Sequence, residues 1–275
     1  MAWTAEDRRT YAPAIQEMVR QGMIVRLART IEAIDPQPGS GRQRVWSSLI
    51  MLQALWHLVR DGCAWRRLPC TFPPHTTVWS RLYRWRKLGV LERALAVVVA
   101  CHRLARGRKR QPTAGIVDTQ SVRTGPQAGP RGYDAGKKIK GRKRVLLVDT
   151  DGNLLGVQVV PADTHDHRAL LALRPDLAAH PNLLLIWLDK GFAGEAPESF
   201  LGEFGIMAEI VHTPGRQGFV LEKRRWKVEQ VFGNLQRYRR LRVDDEASCD
   251  SSRAMVLLAG MFMTGMRLER AVASA

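Results

Sequence analysis

Three acidic residues lie where divalent cations could be bound and phosphoryl transfer carried out. Asp118 ends the first apolar run of a predicted sheet, and Asp189 ends the fourth. Glu229 borders the apolar stripe of a long predicted helix. Carboxylate oxygens are the hard ligands that Mg²⁺ prefers, and two such ions can activate an attacking oxygen while stabilising a leaving one. These residue types therefore predict an acidic metal site.

The elements that must bring these acids together follow a mixed α/β order. The spacing of apolar residues predicts strands over 113–118, 144–149, 154–161, 183–189 and 206–211, and helices over 167–179, 196–204 and 223–240. Meandering strands followed by alternating helices and strands indicate a mixed sheet flanked by helices. If the strands that carry Asp118 and Asp189 are adjacent and parallel, both acids open on one sheet edge, where α/β sites tend to lie.

Positive charge dominates the composition and is concentrated near these acids. The chain has 43 Lys+Arg against 26 Asp+Glu, a formal net charge of +17 and a pI near 10.7, which favours nucleic acid as partner over an anionic membrane. We interpret 136–144 as a basic loop, since Gly141-Arg142-Lys143 lacks the Gly-Lys-Ser/Thr of a Walker loop. The predicted phosphate contacts are Lys137, Lys138, Lys140, Arg142, Lys143, Arg225, Arg237, Arg239 and Arg240.

The first hundred residues have a helical pattern, with helices predicted over 8–29, 47–60, 78–88 and 90–106. This pattern divides the chain into a helical DNA-binding domain (1–106), a basic linker (107–112) and a catalytic domain with C-terminal helices (113–275). The third helix follows Thr76-Thr77 and alternates arginines with aromatic residues, as a helix-turn-helix recognition helix would. Arg81 and Arg84 are then the leading base contacts. The alternative is a bundle helix with aromatic residues in the core and solvated arginines.

Other polar groups give weaker signals. Four cysteines lack a CxxC pair, which favours buried or bystander thiols over zinc ligands or disulfides. The segment 164–167 (THDH) could ligate a metal, but a helix start capped by Thr164 or Asp166 is the favoured interpretation. Asp149 and Asp151 flank the predicted hairpin turn and are interpreted as turn residues, with Asp149 as a substitute ligand should Asp118 fail. No apolar run is long enough to predict a membrane span.

Several segments resemble the DDE transposases of insertion sequences, specifically the fifth numbered insertion-sequence family. They are GIVDTQSVRT, GYDAGKKIKGRKRVLLVDTDGNLLGVQVVPADTHD, LDKGF and RRWKVEQVFGNLQRYRRLR, preceded by GSGRQRVW, DGCAWRRLP and FPPHTTVWSRLYRWRKLGVLER, which resemble that group's N-terminal domain. The match covers most of 40–242. The resemblance implies an RNase H-like fold in which Asp118, Asp189 and Glu229 form the triad that holds Mg²⁺ or Mn²⁺, with two ions expected.

The same resemblance implies double-stranded DNA as partner, both transposon ends and target, a homodimer on paired ends, and a bacterial cytoplasmic location at the nucleoid. A Tyr-Arg-Glu-Lys signature often surrounds the glutamate in such enzymes. Arg225 matches its arginine, whereas Glu222 and Gln236 occupy the tyrosine and lysine positions. Two other functions are open: an RNase H-like nuclease without strand transfer, and a silent DNA-binding regulator. The three intact acids favour the transposase.

Overall fold

The computed structural model describes residues 5–38, 43–126, 129–211 and 226–273. Its helices are α1 (Ala5–Ile34), α2 (Ser48–Asp61), α3 (His75–Lys87), α4 (Val90–Ala105), α5 (Asp166–Leu171), α6 (Arg174–Ala178), α7 (Glu195–Gly202), α8 (Trp226–Leu235) and α9 (Cys249–Ala273). Its strands are β1 (Ala114–Arg123), β2 (Gly132–Asp134), β3 (Ile139–Asp149), β4 (Leu154–Pro161), β5 (Leu185–Leu188) and β6 (Met207–Ile210). Short 3₁₀ turns span Trp65–Arg67, Lys190–Phe192 and Arg239–Leu241.

The strands form one mixed sheet. β3 pairs antiparallel with β1, β2 and β4, while β1, β5 and β6 are parallel neighbours in that order. The β3–β4 hairpin closes at Asp151-Gly152, where Gly152 has a φ of 74° that favours glycine. The sequence of β4, β3, β1, β5 and β6 across the sheet, with β3 antiparallel, is the RNase H-like arrangement. The predicted fold class is confirmed.

The predicted basic loop is wrong for most of its length, because β3 already begins at Ile139. Lys143 pairs with Ser121 of β1, and Gly141 pairs with Arg123. The two strands are so close that a Cβ on Gly141 would lie 1.9 Å from the carbonyl oxygen of Val122. The run of charged residues favours a loop in the sequence because the buried partners of these side chains lie far along the chain. The exposed part of this segment is the turn preceding β3, together with Lys140 at the start of the strand.

The C-terminal helix α9 joins the two halves of the molecule. It packs against α1, α2, α4 and β4, and its buried residues, such as Leu258, Met261 and Phe262, lie on several sides. A helix that is apolar nearly all round belongs in a core. One apolar core therefore contains residues of the helical region and of the sheet, while the domain boundary at 107–112 stays a prediction. None of the helices in the described ranges is long and apolar enough to cross a membrane.

Two predicted helices end differently in the structure. The helix predicted over 167–179 is two short helices, with Pro175 in the first turn of α6. The helix predicted over 223–240 ends at Leu235, and its residues before Trp226 lie outside the described residues. After α8 the chain tightens into turns, and buried Tyr238 packs edge-on against Trp56 of α2 with ring centroids 6.1 Å apart. This contact docks the end of α8 onto the helical half.

Candidate active site

Two of the three predicted acids lie side by side at one edge of the sheet. β1 and β5 are adjacent and parallel, and Ile116 pairs with Trp187. Two residues further along each strand are Asp118 and Asp189. Asp189 follows the last residue of β5 but is still extended, with φ −83° and ψ 175°, so the register carries through to it. Because alternate residues share a face, both side chains start from the same face of the sheet.

Each aspartate is oriented by a local hydrogen bond. Asp118 is 8% exposed, and its Oδ1 accepts a bond from the backbone N–H of Thr119 at 2.6 Å. Asp189 is half-buried, and its Oδ1 accepts from the N–H of Gly191 at 3.0 Å. Asp189 thereby caps the 3₁₀ turn Lys190–Phe192. The carboxylates are fixed by backbone groups next to them in sequence.

Glu229 lies on α8, which packs against β1 and β3. The buried stripe of this helix is Val228, Val231, Phe232 and Leu235, as predicted, and Glu229 is exposed beside it. Within the described ranges, no three His, Cys, Asp or Glu side chains are grouped closely enough to hold a metal ion. Carboxylates repel one another at close range without a cation between them. Convergence of Glu229 with the aspartates stays a prediction.

A buried arginine that the sequence pattern does not indicate as a site residue lies on the same sheet face as Asp118. Arg144 of β3 is opposite Gln120, two residues after Asp118. Its Nη1 donates to the carbonyl of Leu241 at 3.0 Å, and burial lowers its pKa to about 10. Its other guanidinium nitrogens and Gln120 Oε1 have no hydrogen-bond partner among the residues that the structure describes. The face of the sheet that carries Asp118 therefore also carries a buried positive charge at neutral pH, two residues further along β1.

Two arginines predicted to bind DNA are buried and paired instead. Arg142 is 1% exposed, and its Nη1 lies 3.0 Å from Asp244 Oδ1. Arg240 is 7% exposed, and its Nη2 lies 2.7 Å from Glu246 Oε1. Burial raises the pKa of Glu246, while Arg240 opposes that shift. The prediction of DNA contact is wrong for both arginines in this structure, because their charges stabilise internal carboxylates.

Lys143 is also buried, with its Nζ 2.7 Å from Asp166 Oδ1. Its predicted contact with DNA is therefore wrong for the same reason. The exposed members of the predicted set are Lys137, Lys138, Lys140, Arg237 and Arg239. Lys137 lies beside the acidic edge, since its Nζ is 3.4 Å from the carbonyl of Thr119, the residue after Asp118. Arg225 and Glu222 lie outside the described residues.

Helix α3 has both a buried and an exposed aromatic side. Trp85 is fully buried, and its Nε1 donates to Asp35. Trp79 and Tyr83 are exposed and stacked, with ring centroids 5.4 Å apart. Arg84 remains half-exposed while it pairs with Asp35 at 3.0 Å. The alternative, a bundle helix with its aromatic residues in the core, therefore holds for Trp85 and fails for Trp79 and Tyr83.

On the same helix, Arg81 is half-buried, and burial together with nearby Arg44 lowers its pKa. Its guanidinium lies 6.0 Å from the centroid of the Trp85 ring. The helix begins at His75, before the predicted start at 78. Arg81 therefore lies at the margin between the core and the exposed side of α3.

Two secondary candidates for metal binding have structural roles. A helix does start in the 164–167 segment, but its cap is His165, which accepts from the N–H of His167 at 3.4 Å, and neither Thr164 nor Asp166. Asp149 is fully buried, with Arg103 Nη1 2.5 Å from its Oδ2. Asp149 thus joins α4 to the hairpin and does not face the acidic edge as a substitute ligand.

Comparison with known proteins identifies the family. A model of the transposase DDE domain matches residues 109–263, and a model described as a putative transposase of the IS4/5 family matches residues 25–95. A putative transposase for insertion sequence element IS402 from Burkholderia cepacia is 30% identical over 204 residues, which are 70% of this chain and 93% of that protein.

Two solved structures are similar over part of the fold. The catalytic core domain of BIV integrase matches with a TM-score of 0.34 and 16% identity over 52% of this chain and 81% of its own. The Mos1 mariner paired end complex with Mn matches with a TM-score of 0.25 and 12% identity over 88% of this chain and 82% of its own. On the family models and the curated relative, the chain belongs to the DDE transposases of the IS4/5 family.

Proposed function

We propose that this transposase cleaves DNA at the ends of its element by metal-dependent hydrolysis and joins the freed 3′-OH to target DNA. The observation that carries the proposal is the parallel pairing of β1 with β5, which brings Asp118 and Asp189 to neighbouring positions at one sheet edge. Glu229, on the helix that packs against β1, is the third acid. Family membership supports phosphoryl transfer on DNA as the reaction class.

The donor set fits Mg²⁺ or Mn²⁺, because carboxylate oxygens are hard ligands and both aspartates start from one face of the sheet. Two bound ions would supply Lewis acid stabilisation at the attacking and leaving oxygens. Asp118, buried within the longest pairing of the sheet, forms the rigid side of the site. Asp189 is oriented by the N–H of Gly191. Glu229 approaches from α8, whose apolar stripe fixes the helix against the sheet.

Exposed cations hold the DNA backbone, and Lys137 among them lies beside this edge, with its Nζ 3.4 Å from the carbonyl of Thr119. Lys137 and Lys138 lie in the turn before β3, Lys140 follows on the strand, and Arg237 and Arg239 follow α8. Phosphates approaching a cluster of carboxylates are repelled unless positive charge lies nearby. We propose these five side chains as the phosphate track. Two copies of the chain, one on each element end, would hold the ends together.

Removing one cation of the phosphate track should reduce the salt dependence of DNA binding. Lys138 has a φ of 54°, a conformation that asparagine tolerates, so Lys138→Asn removes the charge with little strain. Lys138→Asn and Arg239→Ala should each flatten the slope of log affinity against log salt by about one, and weaken binding to all sequences alike.

The measurement is a fluorescence anisotropy titration at several salt concentrations. Arg174→Ala is the control, because Arg174 is also exposed but lies on α6, outside the track. Its slope should equal that of the wild type. Slopes for Lys138→Asn and Arg239→Ala that match the Arg174→Ala slope would exclude both residues from DNA contact.

Helix α3 should read the element end. Arg81→Ala should weaken binding to the end sequence by about 1–3 kcal/mol and leave binding to scrambled DNA unchanged, because a base contact is lost only on the specific site. The comparison variant is Arg86→Ala on the same helix, whose Nη1 donates to Ser251 at 2.9 Å. Equal losses on both DNAs for Arg81→Ala would show that α3 holds only the backbone.

The function itself is tested with labelled element-end DNA, target plasmid and Mn²⁺ or Mg²⁺. Joined products support the transposase. Nicked ends without joining would identify a nuclease that lacks strand transfer. Binding without nicks in either metal would identify a silent DNA-binding regulator.

A further inference from the structure

The 164–167 turn lies against the turn that begins with Asp189. α5 contacts the 3₁₀ turn Lys190–Phe192. The contact centres on Gly191: a Cβ placed there would lie 3.0 Å from Asp166 Oδ2 and 3.1 Å from Asp189 Oδ1. Two carboxylates from separate elements therefore flank one glycine, and the amide of that glycine is the hydrogen-bond donor to Asp189.

Asp166 is held in this place by a buried cation. Lys143 on β3 is 6% exposed, and its Nζ donates to Asp166 Oδ1 at 2.7 Å and to the carbonyl of Thr164 at 2.6 Å. A second acid near Lys143 is Asp134. Burial acts to raise the pKa of Asp134, but hydrogen bonds from Ser121 and Lys137 and the charges of Lys137 and Lys143 lower it overall. A buried ammonium is stable only where carboxylate and carbonyl oxygens surround it. Lys143 thus ties the start of α5 to the middle of the sheet.

The two carboxylate oxygens of Asp166 face different groups. One oxygen of Asp166 is bound by Lys143, and the other is directed at the Gly191 position beside Asp189. A side chain at position 191 would press against both carboxylates, and one of them would have to shift by a few tenths of an ångström. A charged group beside a metal-ligating carboxylate is the kind of outer partner that sets ligand orientation.

We propose that Asp166 and Lys143 are positioning residues for Asp189, and that they hold its turn in the geometry required for cation binding. This inference rests on the proposed function, in which Asp189 is a metal ligand. Lys143 anchors the turn, Asp166 packs against Gly191, and Gly191 orients the Asp189 carboxylate. Loss of such outer partners typically costs 10–100-fold in metal affinity.

The test is a Mn²⁺ titration of the full chain without DNA, followed by the rise in thermal unfolding temperature. Asp166→Ala should raise by about 10–100-fold the Mn²⁺ concentration that gives a set rise in unfolding temperature. This concentration is the Mn²⁺ midpoint compared between variants. Asp163→Ala is the matched control, because Asp163 is an exposed acid of the same turn that lies beside Gly132 instead. Its Mn²⁺ midpoint should equal the wild-type midpoint.

A merely structural role would lower the metal-free unfolding temperature and leave the Mn²⁺ midpoint unchanged, which would overturn the inference. Lys143→Met should shift the midpoint in the same direction. If Lys143→Met does not fold, Asp166→Ala decides alone, since the Asp166 side chain is 29% exposed. A wild-type chain that Mn²⁺ does not stabilise would instead overturn the proposed metal centre, and this inference with it. Midpoints that overlay for wild type and Asp166→Ala would overturn only the positioning role.

Discussion

Asp118→Asn is expected to abolish DNA cleavage and leave DNA affinity nearly unchanged. Asparagine keeps the shape of the side chain and an oxygen that can accept the bond from the Thr119 N–H. It removes the negative charge that would hold the cations. Metal-ion stabilisation of the transition state is worth several kcal/mol, and each 1.36 kcal/mol is tenfold in rate, so a loss of at least ~10³-fold is expected.

The measurement pairs a cleavage assay on labelled element ends with a binding titration on the same DNA. Asp163→Asn is the control, since it removes one carboxylate from an exposed position just beyond β4. Its cleavage rate should match the wild type. Cleavage by Asp118→Asn at a rate close to that of Asp163→Asn would refute the assignment of Asp118 as a metal ligand.

Asp149→Ala should lower the free energy of unfolding by about 3–5 kcal/mol, as expected for breaking a buried ion pair. Asp149 is fully buried. Its Oδ2 accepts from Arg103 at 2.5 Å and from Asn153 Nδ2 at 2.9 Å, while Oδ1 accepts from the N–H groups of Asp151 and Asn153 at 3.0 and 2.8 Å. Alanine would leave the Arg103 charge and these donors without their partner.

Urea unfolding followed by circular dichroism measures this loss. Asp151→Ala is the matched control, because Asp151 lies in the same hairpin turn and its Oδ2 is 3.6 Å from Nε of the exposed Arg108. Its cost should be at most about 1 kcal/mol. The double variant Asp149→Leu with Arg103→Met should recover part of the loss, since removing both charges leaves neither buried alone. Equal costs for Asp149→Ala and Asp151→Ala would contradict the structural role of the pair.

The placement of the two aspartates could be predicted because it depends on local pattern. Apolar runs that end in Asp118 and Asp189 indicate strand ends, and the order of strands and helices limits how those strands pair. The structure shows β1 and β5 adjacent and parallel, which was the condition for bringing both acids to one edge. The stripe on α8 likewise follows from helical spacing. The segment motifs predicted the family, which the comparisons confirm.

Charge alone could not predict which basic side chains are exposed and which are buried against an acid. Lysine and arginine look alike in sequence whether they face DNA or a buried carboxylate. Arg142 donates to Asp244, and Arg240 donates to Glu246 and to the carbonyl of Cys63. These contacts form because the segment after α8 folds back onto the sheet and α2. The burial of these cations depends on which acids the fold brings near them, whether far along the chain, as for Arg142 and Asp244, or a few residues away, as for Arg240 and Glu246. Lys137 and Lys138 stay exposed because they lie in a turn.

The sequence by itself determined the family, the mixed sheet and the two strand ends that carry Asp118 and Asp189, because those features depend on neighbouring residues and their periodicity. Only the tertiary structure decided that α9 joins the helical region to the sheet and that Asp166 lies against Gly191. It also decided that Trp79 and Tyr83 face solvent while Trp85 does not. Each of these depends on contacts between residues far apart in the chain, and spacing along a single element does not specify such contacts.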